Sequence, residues 1–383
     1  MDFDHLDPGF RLYAGAGSVR HLVRELDRVG SRRAVVFCGQ TLARDPRGLD
    51  RLKGILGERF AGAYAEVASH SPMPSIQAAV DALRDLKADA VIALGGGSPI
   101  VTARAASILA AENKDIHELH SRFVPGQRPM SPKLLAPKIP QFAVPTTPTT
   151  AYAKAGTAVL DPSIKRRLTM YDPKTRTQAV FLDEALAMSA PSVLFMDAAL
   201  NTFSMAIQGL EAPSCNPIAR GQLLQALRLL RDNLPLLHGG GDSPDVRINL
   251  MVAALLAGRG TDYAVIGLSS ALGHCLAARQ HIPNGASNAV LLPHTVRFNG
   301  SVTGERLDPL REIFSGPPFA NPGDLIMSFL DYLPISRRLR DLGVSKKELS
   351  IIADDVKADW FFYTNPLNVK SDKDLINILY RAY

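Results

Sequence analysis

Apolar residues in the first half of the chain fall into short unbroken runs separated by amphipathic stretches. Residues 33–38 (RAVVFC) and 90–94 (AVIAL) are such runs, closed by Gly39 and Gly95, and each reads as a buried strand. Between them, residues 75–86 (SIQAAVDALRDL) set Ile76, Val80, Leu83 and Leu86 on one helical face behind Ser75, a serine suited to cap the helix. Residues 141–144 (QFAV) form a third strand that runs into Pro145. Continuous apolar strands alternating with amphipathic helices predict a parallel sheet covered on both faces. From about residue 184 the strand pattern fades, and helical spacing takes over across 217–236, 246–259, 269–279 and 345–357. The run Gly239-Gly240-Gly241, followed by Asp242-Ser243-Pro244, breaks two of these helices apart, and Pro317-Pro318 with Pro322-Gly323 marks a further loop. The pattern predicts an α/β domain with a parallel sheet over residues 1–185 and an all-α domain over 186–383, the boundary falling near 183–190.

Length and composition narrow this picture without redirecting it. A chain of 383 residues exceeds the size at which one core keeps growing, so two domains are the default. With 46% hydrophobic and 21% charged residues, global disorder is excluded. No apolar run is expected to reach the length of a membrane span, and Met1-Asp2-Phe3-Asp4-His5 is the wrong layout for a secretory signal, so a cytoplasmic protein is expected. Cys38, Cys215 and Cys275 are far apart and form neither a disulfide framework nor a zinc motif. The formal charge of +6 is compatible with an anionic partner such as a cofactor phosphate or a carboxylate substrate. The one basic cluster, Lys165-Arg166-Arg167 with Lys174 and Arg176, is short and has no interleaved aromatics, so no nucleic-acid partner is expected.

Two loops carry candidate chemistry. Leu94-Gly95-Gly96-Gly97-Ser98-Pro99-Ile100 follows a buried strand and opens a helix near Val101. Residues without Cβ let backbone N–H groups approach a phosphate, and a helix N-terminus favours its charge, so Gly95, Gly96, Gly97 and Ser98 read as a pyrophosphate cradle. The alternative is a tight strand-to-helix turn that holds no ligand. In Pro145-Thr146-Thr147-Pro148-Thr149-Thr150 a second strand ends in clustered hydroxyls. Thr146, Thr147 and Thr149 suit the lining of a ligand crevice at the carboxyl ends of parallel strands, or else a capped surface loop.

These two loops, in this order, resemble those of the iron-containing alcohol dehydrogenases and their maleylacetate reductase branch, and the resemblance runs the length of the chain. It includes residues 12–19 (LYAGAGSV), Gly209-Leu210-Glu211-Ala212, Asn216-Pro217, Ala271-Leu272-Gly273-His274, residues 288–294 (NAVLLPH) and Thr364-Asn365-Pro366. It implies a nucleotide-binding domain of the dehydroquinate synthase-like fold, an all-helical second domain, a site in the cleft between them and a homodimer.

The departures from that family are as informative as the matches. Family members hold a metal on an Asp and a His one turn apart, just ahead of the position of Glu211, and on two further histidines. The corresponding positions here are Ser204, Gln208, Ser270 and Asn284. Four neutral hydroxyl or amide side chains hold a divalent transition metal poorly, so no catalytic metal is expected. His281 is a conceivable substitute ligand, yet one imidazole does not make a site. After GGGS the family has an Asp and then a Lys where this chain has Val101 and Arg104, and its second loop, TTxGTxSE, reads TTPTTAYA over residues 146–153. A family lysine that contacts the nicotinamide ribose aligns near Arg167. Gly39-Gln40 stands where an Asp binds the adenosine ribose, which removes repulsion against a 2′-phosphate and favours NADP(H) over NAD(H).

His274 is the leading candidate for proton transfer, because it matches a family histidine near the nicotinamide and because imidazole titrates near neutral pH. Tyr152 and His281 are second-rank donors, and His294 is expected to make a structural hydrogen bond. Cys275 is adjacent to His274, but neighbours on a helix point about 100° apart. Three functions fit these residues. The first is a metal-independent NAD(P)H-dependent reductase of a small-molecule ketone, aldehyde or enone in a specialised biosynthetic pathway. The second is a redox-neutral cyclase, lyase or isomerase on the same scaffold, and the third is a non-catalytic binding protein.

Overall fold

The apolar runs of the first half become strands whose residues are all buried: β2 (Ala34–Phe37), β4 (Ala90–Gly95) and β5 (Gln141–Pro145). The computed structural model describes residues 2–6, 8–124, 130–164 and 166–383, so Met1 and Lys165 lie outside the described residues. The chain divides into two compact units, Leu6–Pro191 and Ser192–Tyr383, the second also containing Met1–His5.

In the first unit, β1 (Arg11–Gly15), β3 (Phe60–Tyr64) and β8 (Thr177–Asp183) complete a sheet that is six-stranded among the described residues, in the order β1-β8-β5-β4-β2-β3 with every pair parallel. A separate antiparallel pair joins β6 (Gly156–Asp161) to β7 (Arg166–Tyr171). Helices α1 (Leu22–Arg28), α2 (Gln40–Arg44), α3 (Arg51–Leu56), α4 (Met73–Asp85), α5 (Gly97–Glu112), α6 (Ile116–Leu119) and α7 (Glu184–Ala187) connect the strands. One face of the sheet buries Val36, Ile92, Val144 and Phe181 against Leu22, Leu26, Leu52 and Leu56. A second core joins Ile76 of α4 and Ile108 of α5 to Val159, Leu168 and Met170 of the β6–β7 pair.

Two helix starts differ from the sequence expectation. Ser75 does not cap α4, which begins two residues earlier behind Pro72 with Pro74 in its first turn, a position that proline tolerates. The Ser75 hydroxyl turns back and accepts from the Ala68 amide at 3.2 Å. Helix α5 begins at Gly97 rather than near Val101, because Pro99 also fits in a first turn.

The second unit is helical throughout its described length: α8 (Ser192–Glu211), α9 (Pro217–Asn233), α10 (Pro244–Tyr263), α11 (Leu268–Gln280), α12 (Asn284–Thr303), α13 (Pro309–Ile313), α14 (Pro322–Leu330), α15 (Glu348–Asp355), α16 (Trp360–Tyr363) and α17 (Asp372–Ala382). Pro322-Gly323 opens α14 behind an Asn321 cap instead of lying in a loop. Helix α8 is long and apolar enough to span a membrane, contrary to the expectation that no such run exists. Every residue from Thr202 to Glu211 is buried, and α8 packs on α9, α10 and α12, which is the setting of a core helix.

Candidate functional site

The strand order places the first candidate region. The connection leaving β2 goes outward to β3, whereas the connection leaving β4 goes the opposite way to β5, so neighbouring β2 and β4 flank a switch point. Ligands of open parallel sheets bind beyond the carboxyl ends of such strands, and here those ends carry Cys38-Gly39 and Gly95-Gly96.

Gly95 has φ +134, outside the range open to side-chain-bearing residues, and a Cβ there meets Pro99 at 3.0 Å and Leu42 at 3.3 Å. Gly95→Ala is expected to cost about 1–3 kcal/mol, read as a lower urea midpoint at unchanged slope. Cβ atoms built on Gly96 and Gly97 lie 3.1 Å from Thr147 Oγ1 and 3.2 Å from Thr149 Oγ1. The glycine turn and the threonine loop are therefore in contact, and the Thr146 amide donates to the Gly95 carbonyl at 3.0 Å. Thr149 Oγ1 also accepts from the Ala151 amide at 3.3 Å. Gly39 differs from its partners, since a Cβ there makes only an ordinary 3.5 Å contact with the Val67 carbonyl.

Two residues not singled out from the sequence complete this region. His70 and Ser71 both adopt left-handed φ, at 63° and 49°. The His70 amide donates to Ser98 Oγ at 3.2 Å, and Ser71 Oγ donates to the Ser98 carbonyl at 3.2 Å. Arg167, on β7, points Nη2 at His70 Nδ1 from 3.5 Å. Ser98 and Arg167, distant in sequence, are thus linked through His70. Nothing in the local pattern of SHSP marked it, because the strain and the contacts arise only on folding. The Tyr152 ring is buried, and burial pushes its hydroxyl far above the ordinary phenol range.

The second region lies in the helical unit, where three of the four positions aligned with metal ligands are buried and bonded to one another. Gln208 Nε2 donates to Ser204 Oγ at 2.9 Å and to Ser270 Oγ at 3.0 Å. Its Oε1 accepts from the Gly267 and Ser270 amides, each at 3.1 Å. Both ends of the amide are thereby occupied, and coordination through Oε1 would have to break two buried bonds. Asn284, the first residue of α12, has a buried Oδ1 without a partner among the described residues. Asp197 caps α12 beside it, its carboxylate accepting from the Ala286 amide at 2.7 Å. Burial raises the pKa of Asp197, and the α12 amides partly offset that rise. Among the described residues no group of three or more His, Cys, Asp or Glu side chains is placed to hold a metal ion. This donor set does not fit a divalent transition metal.

His274, on α11, directs Nδ1 to Asp359 Oδ2 at 2.8 Å and keeps about a quarter of its side chain exposed (24%). His281 is exposed and in a left-handed conformation at the end of α11. The structural hydrogen bond expected of His294 is not found at Nδ1, which is buried without a partner among the described residues. Burial, aided by Arg297 and Arg381, lowers the His294 pKa to about 4, so the ring is neutral at physiological pH. Burial also pushes the Cys275 thiol up to about 12, which leaves it a poor nucleophile.

Comparison with known proteins follows the same division. The model of "Iron-containing alcohol dehydrogenase" matches residues 9–184, and that of "Fe-containing alcohol dehydrogenase family, C-terminal" matches residues 195–383. Maleylacetate reductase 2 of Cupriavidus pinatubonensis is 28% identical over 374 residues, covering 97% of this chain and 94% of its own. The crystal structure of maleylacetate reductase from Agrobacterium tumefaciens superposes with a TM-score of 0.83 at 24% identity, covering 100% of this chain and 98% of that one. Sulfoacetaldehyde reductase from Bifidobacterium kashiwanohense in complex with NAD+ does so with a TM-score of 0.86 at 18% identity, covering 100% and 98%.

Proposed function

Because the chain belongs to the iron-containing alcohol dehydrogenase family, as an oxidoreductase matched by both of its domain models, we propose that it is an NAD(P)H-dependent reductase of a ketone, aldehyde or enone that works without a bound metal. The observation that carries this reading is the Gln208 amide bonded to Ser204, Ser270 and Gly267, which replaces a coordination sphere by a closed neutral network. The cofactor half is supported by the position of the glycine turn, beyond the carboxyl end of β4 at the switch point of the sheet and at the start of α5, and by a structural neighbour that is a reductase in complex with NAD+.

When bound, the nicotinamide supplies the hydride. Residues 95–98 offer the first amides of α5 to the pyrophosphate, and Arg167 adds positive charge near Ser98. Gly39 and Gln40 leave no carboxylate at the end of β2 to repel a 2′-phosphate, which favours NADPH. His274 delivers the proton to the nascent alkoxide. Loss of all four charged or basic ligand positions suits a specialised biosynthetic step, with a homodimer as the assembly.

One observation favours the redox-neutral alternative, a cyclase, lyase or isomerase. The Thr147 and Thr149 hydroxyls stand so close over Gly96 and Gly97 that they narrow the space above the turn. Titrating the purified protein with NADPH and NADH by fluorescence, with metal analysis of the same sample, separates the readings. Saturable NADPH binding, tighter than NADH, in protein without stoichiometric metal is the expected result. Absence of nucleotide binding sinks the reductase, and stoichiometric iron or zinc overturns the metal-free reading.

A further inference from the structure

We propose that Asp359 is a positioning residue that fixes His274 with a proton on Nδ1 and leaves Nε2 to exchange one, so that the pair supports the developing alkoxide where no metal does. The inference rests on His274 being the proton donor of the reduction.

Each Asp359 oxygen has its own task. Oδ2 faces His274 Nδ1 at 2.8 Å, while Oδ1 accepts from the Phe361 amide at 2.9 Å as the cap of α16. A carboxylate held at both oxygens does not swing, and the residue it orients inherits that precision. The Phe361 ring packs against the imidazole with centroids 5.5 Å apart, and Trp360 lies 5.6 Å from Phe361. The carboxylate of Asp355, four residues before Asp359, is engaged by Arg279 at 2.6 Å. Nε2 of His274 has no hydrogen-bond partner among the described residues. With Nδ1–H committed to Asp359, that nitrogen is the one free to exchange a proton.

The step balances. The carbonyl carbon gains the hydride from the reduced nicotinamide, which is thereby oxidised, and the carbonyl oxygen takes the Nε2 proton. A neutral imidazole remains, its Nδ1–H still donated to Asp359. The Asp359 carboxylate accepts from Nδ1–H before and after the transfer.

Asp359→Asn distinguishes positioning from a structural role, because asparagine also caps a helix and keeps the bond to the Phe361 amide. In protein labelled with 15N-histidine, the His274 resonances are those lost in His274→Ala. Wild-type His274 is expected to carry its proton on Nδ1 when neutral, and Asp359→Asn to move it to Nε2. With benzaldehyde and cyclohexenone as carbonyl probes and NADPH as donor, Asp359→Asn is expected to lower kcat about 10²-fold, with KM and Tm near wild type. A wild-type neutral tautomer protonated on Nε2, or an Asp359→Asn enzyme with unchanged tautomer and kcat, overturns the proposal. If His274→Ala reduces the probes as fast as wild type, or wild type reduces neither, the reading of His274 as donor in this reduction falls, and the catalytic role given to Asp359 falls with it. Loss of activity in His274→Ala with full activity in Asp359→Asn sinks the positioning role alone.

Discussion

Replacing Arg104 by methionine is expected to lower the unfolding free energy by about 2–4 kcal/mol, as three carbonyls lose the guanidinium, that of Ala151 keeping only the Lys154 amide, at about 1–3 kcal/mol for each left buried without a donor. Arg104 is fully buried on α5, yet its head group reaches three separate segments. Nη1 donates to the Gly156 carbonyl at 2.6 Å, Nη2 to that of Ala151 at 3.0 Å and Nε to that of Thr175 at 3.4 Å. The planar fork of guanidinium suits this task, and an ammonium does not reproduce it. Removing the charge itself relieves some desolvation, which is why the loss stays below the sum of the three bonds. Arg104→Lys keeps a cation of shorter reach and is expected to lie between the two. Urea unfolding of the three proteins checks this, and a methionine variant within about 0.5 kcal/mol of wild type refutes it. The Ala151 carbonyl adjoins the threonine loop, so the same substitution is also expected to weaken nicotinamide-nucleotide binding.

Apart from β8 (TQAVFLD), whose polar ends hide a short apolar centre, the interior strands were legible because burial on both faces leaves an unbroken apolar run, as in Ala34–Phe37 and Ala90–Gly95. The edge strands were not. β1 (RLYAG) and β3 (FAGAY) are partly exposed and rich in Ala and Gly, so neither β-branching nor alternation marks them. The starts of α4, α5 and α14 shifted, each with a proline in its first turn, since proline there permits a start that composition reads as a break, whereas α9 begins at Pro217 as its spacing predicts. Within the candidate site, the glycine and threonine loops were visible as composition, but their mutual contact was not. Asp359 is 85 residues from His274, and no periodicity links them. Tyr152 read as a donor from its chemistry alone, and only the fold reveals that its hydroxyl is buried. Residues whose role depends on local backbone could be read from the chain, whereas those whose role depends on a distant partner could not.

Glu211 offers the largest expected effect of pH on stability. The residue sits fully buried at the end of α8, where its Oε1 accepts from Asn299 Nδ2 at 3.0 Å, and Asn299 is bonded in turn to Asn365. Burial pushes the carboxyl up to about 8, and the Asn299 bond and the charge of Arg306 only partly oppose it. In the unfolded chain a glutamate releases its proton near pH 4.3. Between these values the folded protein binds a proton that the unfolded one does not, so stability falls as pH rises. The contribution is fully present below about pH 4 and is lost as pH climbs through about 8, an effect of up to about 5 kcal/mol at roughly 1.4 kcal/mol per pH unit. Glu211→Gln keeps an acceptor for Asn299 and has no proton to lose. Its unfolding free energy is expected to match wild type near pH 4 and to exceed it progressively toward pH 9. Two unfolding curves that stay parallel across that range would show that Glu211 is ionised in the folded protein, and that Arg306 and the asparagine pair compensate its charge after all.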